Sequence, residues 1–254
     1  MLIYFKRIRK NLLDSGKVSR YLAYAVGEIL LVVIGILIAL QVNDWNEAEK
    51  REKMEIEFLR GLLVDLKQDS LNFSVKVKQY EVLVDRHRSY LIRAYDTQRS
   101  YEEYLEVVGL ISWDSENFIA QNVTYSELLN SGNLNIFKNK DLKNQIISHY
   151  REYEKASKHI TEFNEFSASF LARLPFGHST FYSGIKPPEE VLRDPDQWGY
   201  INDPKSLRFL FNIQSASLYG DKHSVFKDVY YTDLLQRTSR LIEAIENELS
   251  IKMD

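Results

Sequence analysis

Hydrophobic and polar positions divide the chain into two regimes. From 21 to 42 the residues are almost uniformly apolar, with a single charge at Glu28. A run of this length crosses a hydrocarbon core of about 30 Å as a helix. After Asn43 the apolar residues become periodic. Between Asp44 and Tyr95 there is no proline and only Gly61, which predicts one long helix continuing from the span. Its first part, 46–57, is dense in alternating charge and suits a solvated stalk. Beyond it, Leu66, Ser70, Phe73, Val77, Tyr80, Val84, His87, Leu91 and Ala94 recur at spacings of four and three, the seam of a helix packed against other helices. A second seam runs through Leu142, Ile146, His149, Tyr153, Ala156, Ile160, Phe163, Ser167, Phe170 and Leu174. A third stripe, Phe226, Tyr230, Leu234, Leu241, Ile245 and Leu249, is interrupted by Arg237.

Shorter signals punctuate these helices. Tyr101, Tyr104, Leu105 and Val108 predict a few helical turns ended near Gly109. Thr124 and Glu127 have the spacing of a capping box, and Gly132 is placed to stop that helix with a left-handed residue. Asn139 or Asp141 opens the second long helix, which must end before Pro175. All five prolines fall within 175–204, an irregular segment also carrying Phe176, Phe181, Tyr182, Trp198 and Tyr200. Asp203 and Pro204 read as an N-cap and first helical residue. The helix they open extends to Gly220, and a separate last helix runs from about Lys222 to Ser250.

The fold class that follows is all-α: an N-terminal single transmembrane helix at 21–42 continuing into an extracytoplasmic antiparallel helical bundle over 43–254. Residues 1–20 form a cytoplasmic basic tail. Lys6, Arg7, Arg9, Lys10, Lys17 and Arg20 stand there against Asp14 alone, whereas Asp44, Glu47 and Glu49 follow the span. The positive-inside rule therefore puts the N-terminus in the cytoplasm and the bundle in the periplasm, with the span in the inner membrane. Leu2, Phe5, Ile8 and Leu12 give the tail an amphipathic face suited to anionic lipid headgroups. No small-residue cleavage site follows the apolar run, so it reads as an uncleaved signal anchor with Trp45 at the far interface.

Within the span, Ala23, Gly27, Gly35 and Ala39 lie on a row of i+4 steps interrupted by Leu31. Small residues on such a row permit close helix approach and favour self-association. Glu28 is an ionisable group inside the apolar run, which needs a partner or a route to the interface. The run Gly27-Glu28-Ile29 through Val33-Ile34-Gly35-Ile36-Leu37-Ile38-Ala39-Leu40-Gln41-Val42-Asn43-Asp44-Trp45-Asn46-Glu47 resembles the N-terminal signature of an uncharacterised family, a domain of unknown function, of single-span envelope proteins from Bacteroidota. A second block, Thr124 to Leu134 followed by Lys138, Asn139 and Leu142, resembles the same family. The resemblance implies an inner-membrane anchor and a helical periplasmic domain, and no activity. Asp44 stands where members of that family often carry Asn.

Charge and chemistry narrow the function classes. A formal net charge of −3 and a pI near 6.0 argue against a nucleic-acid footprint. The absence of cysteine excludes disulfides, thiolate metal sites and cysteine nucleophiles. His87 and His149 on two seams, with Glu152, form a conceivable metal set, but His149 and Glu152, like His159 and Glu162, reverse the Glu-x-x-His order of carboxylate-bridged sites. No phosphate loop, zinc-protease motif or nucleophile elbow occurs, so no catalytic, cofactor or metal residue is assigned. The expected function is a non-enzymatic membrane-anchored structural or interaction protein of the cell envelope, associating with itself or with an envelope protein. The alternatives are a periplasmic sensor or small-solute-binding helical domain, and an oligomeric conduit lined by Glu28.

Overall fold

A computed structural model describes residues 18–96, 100–172 and 207–253, which contain helices and no strand. The basic tail up to residue 17 and the proline-rich segment 175–204 with its Asp203 cap lie outside the described residues. Helix α1 covers Val18–Arg93, α2 Tyr101–Val108 and α3 Val123–Asn130. A 3-10 turn at Asn133–Ile136 leads to α4 at Lys140–Ala172. Helix α5 at Leu207–Val225 passes through a π-helical segment, Phe226–Tyr231, directly into α6 at Thr232–Met253. The chain divides into two compact units, Met1–Glu55 and Ile56–Asp254.

In the first unit the helix is apolar and exposed on all sides over 26–42. Ile29, Leu30, Leu31, Val33, Ile36, Leu37 and Leu40 all face outward, Leu31 at 74 %. A helix with no polar face is stable where its surroundings are apolar, and this one is long and apolar enough to cross a membrane.

The second unit is built on three long helical rods. The buried positions are Leu59, Leu62, Leu66, Asp69, Phe73, Tyr80, Leu83, His87 and Tyr90 on α1, with Ala94 just past its end. This corrects the predicted seam: Ser70, Val77, Val84 and Leu91 are only half-buried, and in place of Ser70, Val84 and Leu91 their neighbours Asp69, Leu83 and Tyr90 take the core positions. Either choice preserves the four-three spacing, and an unpaired carboxylate is costly in a core. Asp69 is admitted because a backbone N–H meets it.

Tertiary pairs fix the directions of the rods. Lys67 reaches Glu246, Phe73 meets Tyr231 and His87 meets His223, so α1 and the last rod run antiparallel. Asn139 with Glu248, Tyr153 with Thr238 and Asn164 with Lys222 make α4 antiparallel to that rod as well. Helices α1 and α4 consequently point the same way, and the intervening chain must return along the bundle. The return is an irregular strap, 109–122, followed by α3.

The last rod differs from its prediction. Gly220 does not end a helix, since the chain is helical from Leu207 to Met253. Its role is proximity: a Cβ there would lie 3.3 Å from the Cβ of His87. The π segment then adds a residue between core contacts, so Phe226 and Tyr231 are both buried while the predicted Tyr230 is half-buried with its hydroxyl on His159. Thr238 is buried on the same stripe, and Arg237 turns aside to Asp233.

Cap chemistry also departs from expectation at α3. Asn122 is its N-cap, without a side-chain bond, and the Thr124–Glu127 box does not form. The acceptors come from α1: Asp65 takes the Thr124 N–H at 3.0 Å and Asp69 takes the Gln121 N–H at 2.8 Å. Gly61 permits this approach, because a Cβ there would sit 2.9 Å from Thr124 Cγ2. Gly132 is left-handed as expected, with φ 70°. Asn139 caps α4 by accepting from the Asp141 and Leu142 N–H groups. Helix α2 has a full capping box of Ser100 and Glu103 that the sequence reading did not assign.

Candidate functional site

The membrane-helix residues singled out from sequence sit on an exposed surface. Gly27, Glu28, Gly35 and Ala39 are all exposed, and a Cβ on Gly27 or Gly35 would meet no atom within 4 Å. Ala23 is helical, and its side chain lies outside the described part. At 3.6 residues per turn, Gly35 and Ala39 fall within roughly 20° of Glu28 around the axis, whereas Gly27 is about 100° away. The face that carries the acid is therefore the Glu28, Gly35 and Ala39 face.

In the bundle, the polar chemistry gathers beneath the strap. Helix α1 holds the strap along its length: Arg86 donates to the Gly109 carbonyl, Gln79 to Asp114 and Glu116, Lys76 pairs with Glu116, and Asp69 and Asp65 hold its end. From the other side, Asn164 of α4 donates to the Glu116 carbonyl at 3.0 Å. Lys222 of α5 closes the set. Only 1 % exposed, its ammonium donates to the Asp114 carbonyl at 2.7 Å, the Ser115 hydroxyl at 3.0 Å and the Asn164 side-chain carbonyl at 3.3 Å, and lies 4.0 Å from the centre of the Tyr219 ring. An ammonium has three donors, and here each meets a neutral acceptor. Burial lowers its pKa to about 8, with Asp114 opposing the shift.

Beside Lys222, His223 shares the Asp114 carbonyl at 3.3 Å, and its ring lies 5.3 Å from that of His87. Sequence placed His87 and His149 as possible core mates, but they do not meet. His149 packs 4.4 Å from Tyr153, one turn on along α4 itself. Among the described residues no group of three or more histidine or carboxylate side chains is arranged to hold a metal. All three histidines are pushed down to about 4, first by burial, then by His223 for His87 and by Arg237 for His149. At His223 the Asp114 carbonyl opposes burial.

A second polar centre lies lower on the bundle. Asp69 is fully buried, and desolvation raises its carboxyl to about 6 against the opposing Gln121 hydrogen bond. Nearby, Tyr150 is 2 % exposed and its hydroxyl has no hydrogen-bond partner. A cleft of about 630 Å³ opens beside this centre. Its aromatic side comprises Phe118, Tyr125, Tyr150 and Tyr153, and its α4 side presents Glu154, Ser157, Lys158, Thr161 and Glu162.

Asp69 yields a direct stability prediction. Its folded pKa lies above its unfolded value of 3.8, so its contribution is most favourable below pH 3.8 and is lost as pH rises through 6. Asp69→Asn keeps an acceptor for the Gln121 N–H and removes the buried charge. Chemical denaturation should show the variant more stable than the parent by about 1–2 kcal/mol at pH 7.5, with the difference vanishing near pH 4.

Sequence reading missed Lys222, His223, Asn164 and Asp69. A signal existed for the first two: they fall between Tyr219 and Phe226 at three- and four-residue steps, on the stripe itself. Placing a helix boundary at Gly220 hid it.

Fold and site together define a helical protein with one N-terminal helix long and apolar enough to span a membrane, followed by a bundle whose long crossover is pinned by buried polar groups. The chain belongs to a family of unknown function, DUF6090, whose model matches residues 28–156. The match includes Glu28, Asp69, His87, the strap and α3, and stops before Lys222 and His223. No curated protein and no solved structure matches the chain.

Proposed function

We propose that this is a membrane-anchored structural or interaction protein of the cell envelope, without catalytic activity, whose copies associate through the Glu28, Gly35 and Ala39 face of the anchor. In this reading the anchor spans the inner membrane, the basic tail contacts anionic headgroups on the cytoplasmic side and the bundle occupies the periplasm. The observation that carries it is the anchor helix itself, apolar and uncovered on every side. Small residues flanking an acid on one face supply what lateral association in a bilayer needs: close backbone approach and a partner for the carboxyl.

Mass measurement and crosslinking in mild detergent test it. The parent should be oligomeric and Gly35→Leu shifted to monomer; a parent that is strictly monomeric sinks the reading. A reporter fused after Asp254 should be active only outside the cytoplasm. The cleft beside α4 favours a second reading, a small-solute-binding domain.

A further inference from the structure

We propose that the tyrosine-lined cleft beside α4 binds a small organic cation of the alkylammonium class. This deepens the solute-binding reading and is independent of self-association. Its first support is the aromatic surface. Tyr125 and Tyr150 stack with centroids 4.0 Å apart and planes 6° from parallel, and Phe118 meets Tyr153 edge-on at 5.7 Å. Ring faces carry the negative part of the aromatic quadrupole, so adjoining rings form a surface that attracts a cation and gives an anion nothing.

Charge is the second support. Helix α4 brings Glu154 and Glu162 to the cleft, while Asp65 and Asp69 act on Tyr150 from α1. The opposing cations are Lys158, which lies 3.9 Å from Glu162, and Arg151, which faces Tyr125 together with Glu154. Among the residues that line the cleft, two carboxylates, Glu154 and Glu162, stand against Lys158 alone, which leaves it a net attraction for positive charge.

The third support is the Tyr150 hydroxyl, buried at the cleft and without a partner in the protein. Buried polar groups are nearly always hydrogen-bonded, and one that is not and that lines a cleft leaves a bond for a water or a bound molecule to supply. An alkylammonium bearing a hydroxyl or an N–H satisfies the phenol while its cationic head rests on the rings. A purely apolar ligand would leave both the phenol and the carboxylates unanswered. The volume, about 630 Å³, lies in the range of small-ligand sites.

The test uses the full chain in maltoside micelles, which contain no choline headgroup, with choline and putrescine as probes and dimethylbutanol as the neutral isostere of choline. Titration calorimetry should show saturable binding of at least one cation in the low-millimolar range or tighter. Dimethylbutanol should bind at least about tenfold more weakly than choline. Glu154→Gln and Tyr150→Phe, both verified as folded by circular dichroism, should each weaken cation binding several-fold. No binding of either cation, or equal binding of the neutral isostere, overturns the proposal. Cation affinity that survives Glu154→Gln and Tyr125→Leu combined places the site elsewhere and equally overturns it. None of these outcomes bears on the oligomeric state of the anchor.

Discussion

Lys222→Ala is expected to lower the unfolding free energy by about 3–5 kcal/mol, the range for emptying a fully packed core position and orphaning its partners. The Lys222 side chain is buried, and its ammonium lies 4.0 Å from the centre of the Tyr219 ring and 5.7 Å from that of Phe226 while occupying the Asp114, Ser115 and Asn164 acceptors. Truncation leaves a cavity and frees the centre of the strap. Lys222→Met should cost much less, about 1–2 kcal/mol, because the stem volume remains and the desolvated charge is removed along with its hydrogen bonds. Urea titrations of the two variants measure the difference. Equal losses would mean that the charge, rather than the packing and the strap, determines the contribution. The alanine variant should also expose the strap to limited proteolysis before the helices unfold, since α5 is one of the elements that hold it.

Acid should unfold the protein between about pH 6.5 and 4. The folded pKa values of His87, His149 and His223 lie near 4, below their unfolded value of 6.5. Above pH 6.5 these residues are neutral in both states and stability is complete. As pH falls below 6.5 the unfolded chain takes up protons that the folded chain refuses, and stability is lost until about pH 4. Each histidine accounts for on the order of 3 kcal/mol at the acid limit. His87 and His223 are neighbours, so their losses do not simply add. Asp69 acts in the opposite direction over the same interval, because its folded pKa is raised. Circular dichroism across this pH range should show a cooperative loss of helix. His149→Phe, which is remote from the His87–His223 pair, should shift the midpoint to lower pH, and Asp69→Asn should make the decline steeper. An unchanged midpoint in the histidine variant would contradict the account.

Much of the architecture was legible in residue spacing. The uniform apolarity of 21–42, the four-three seams of α1 and α4 and the stop at Gly132 follow from short-range rules in which a residue's environment is set by neighbours three and four positions away. Those rules end where a core position is occupied by a polar residue. Asp69 was passed over for Ser70 because nothing near it in sequence can satisfy a buried carboxylate; its partner, the Gln121 N–H, lies far along the chain. The Thr124 cap failed for the same reason in reverse, since Asp65 accepts the Thr124 N–H that the Glu127 carboxylate was expected to accept in a local box.

Gly220 shows the limit most directly. Glycine near the end of an apolar stripe is a reasonable helix stop, and only the approach of His87 reveals that its bare Cα is a contact surface inside a continuous helix. Sequence by itself determined that the chain is helical, that one apolar segment is long enough for a membrane, and where most core-facing residues lie, because all of these follow from the composition and period of contiguous residues. The tertiary structure alone decided that α1 and α4 run in the same direction, that the strap returns between them, and that Lys222, His223, His87 and Asp69 are buried around it. Burial of a charged group is eased by hydrogen-bond partners, and those of Asp69 and Lys222 are brought from more than fifty residues away.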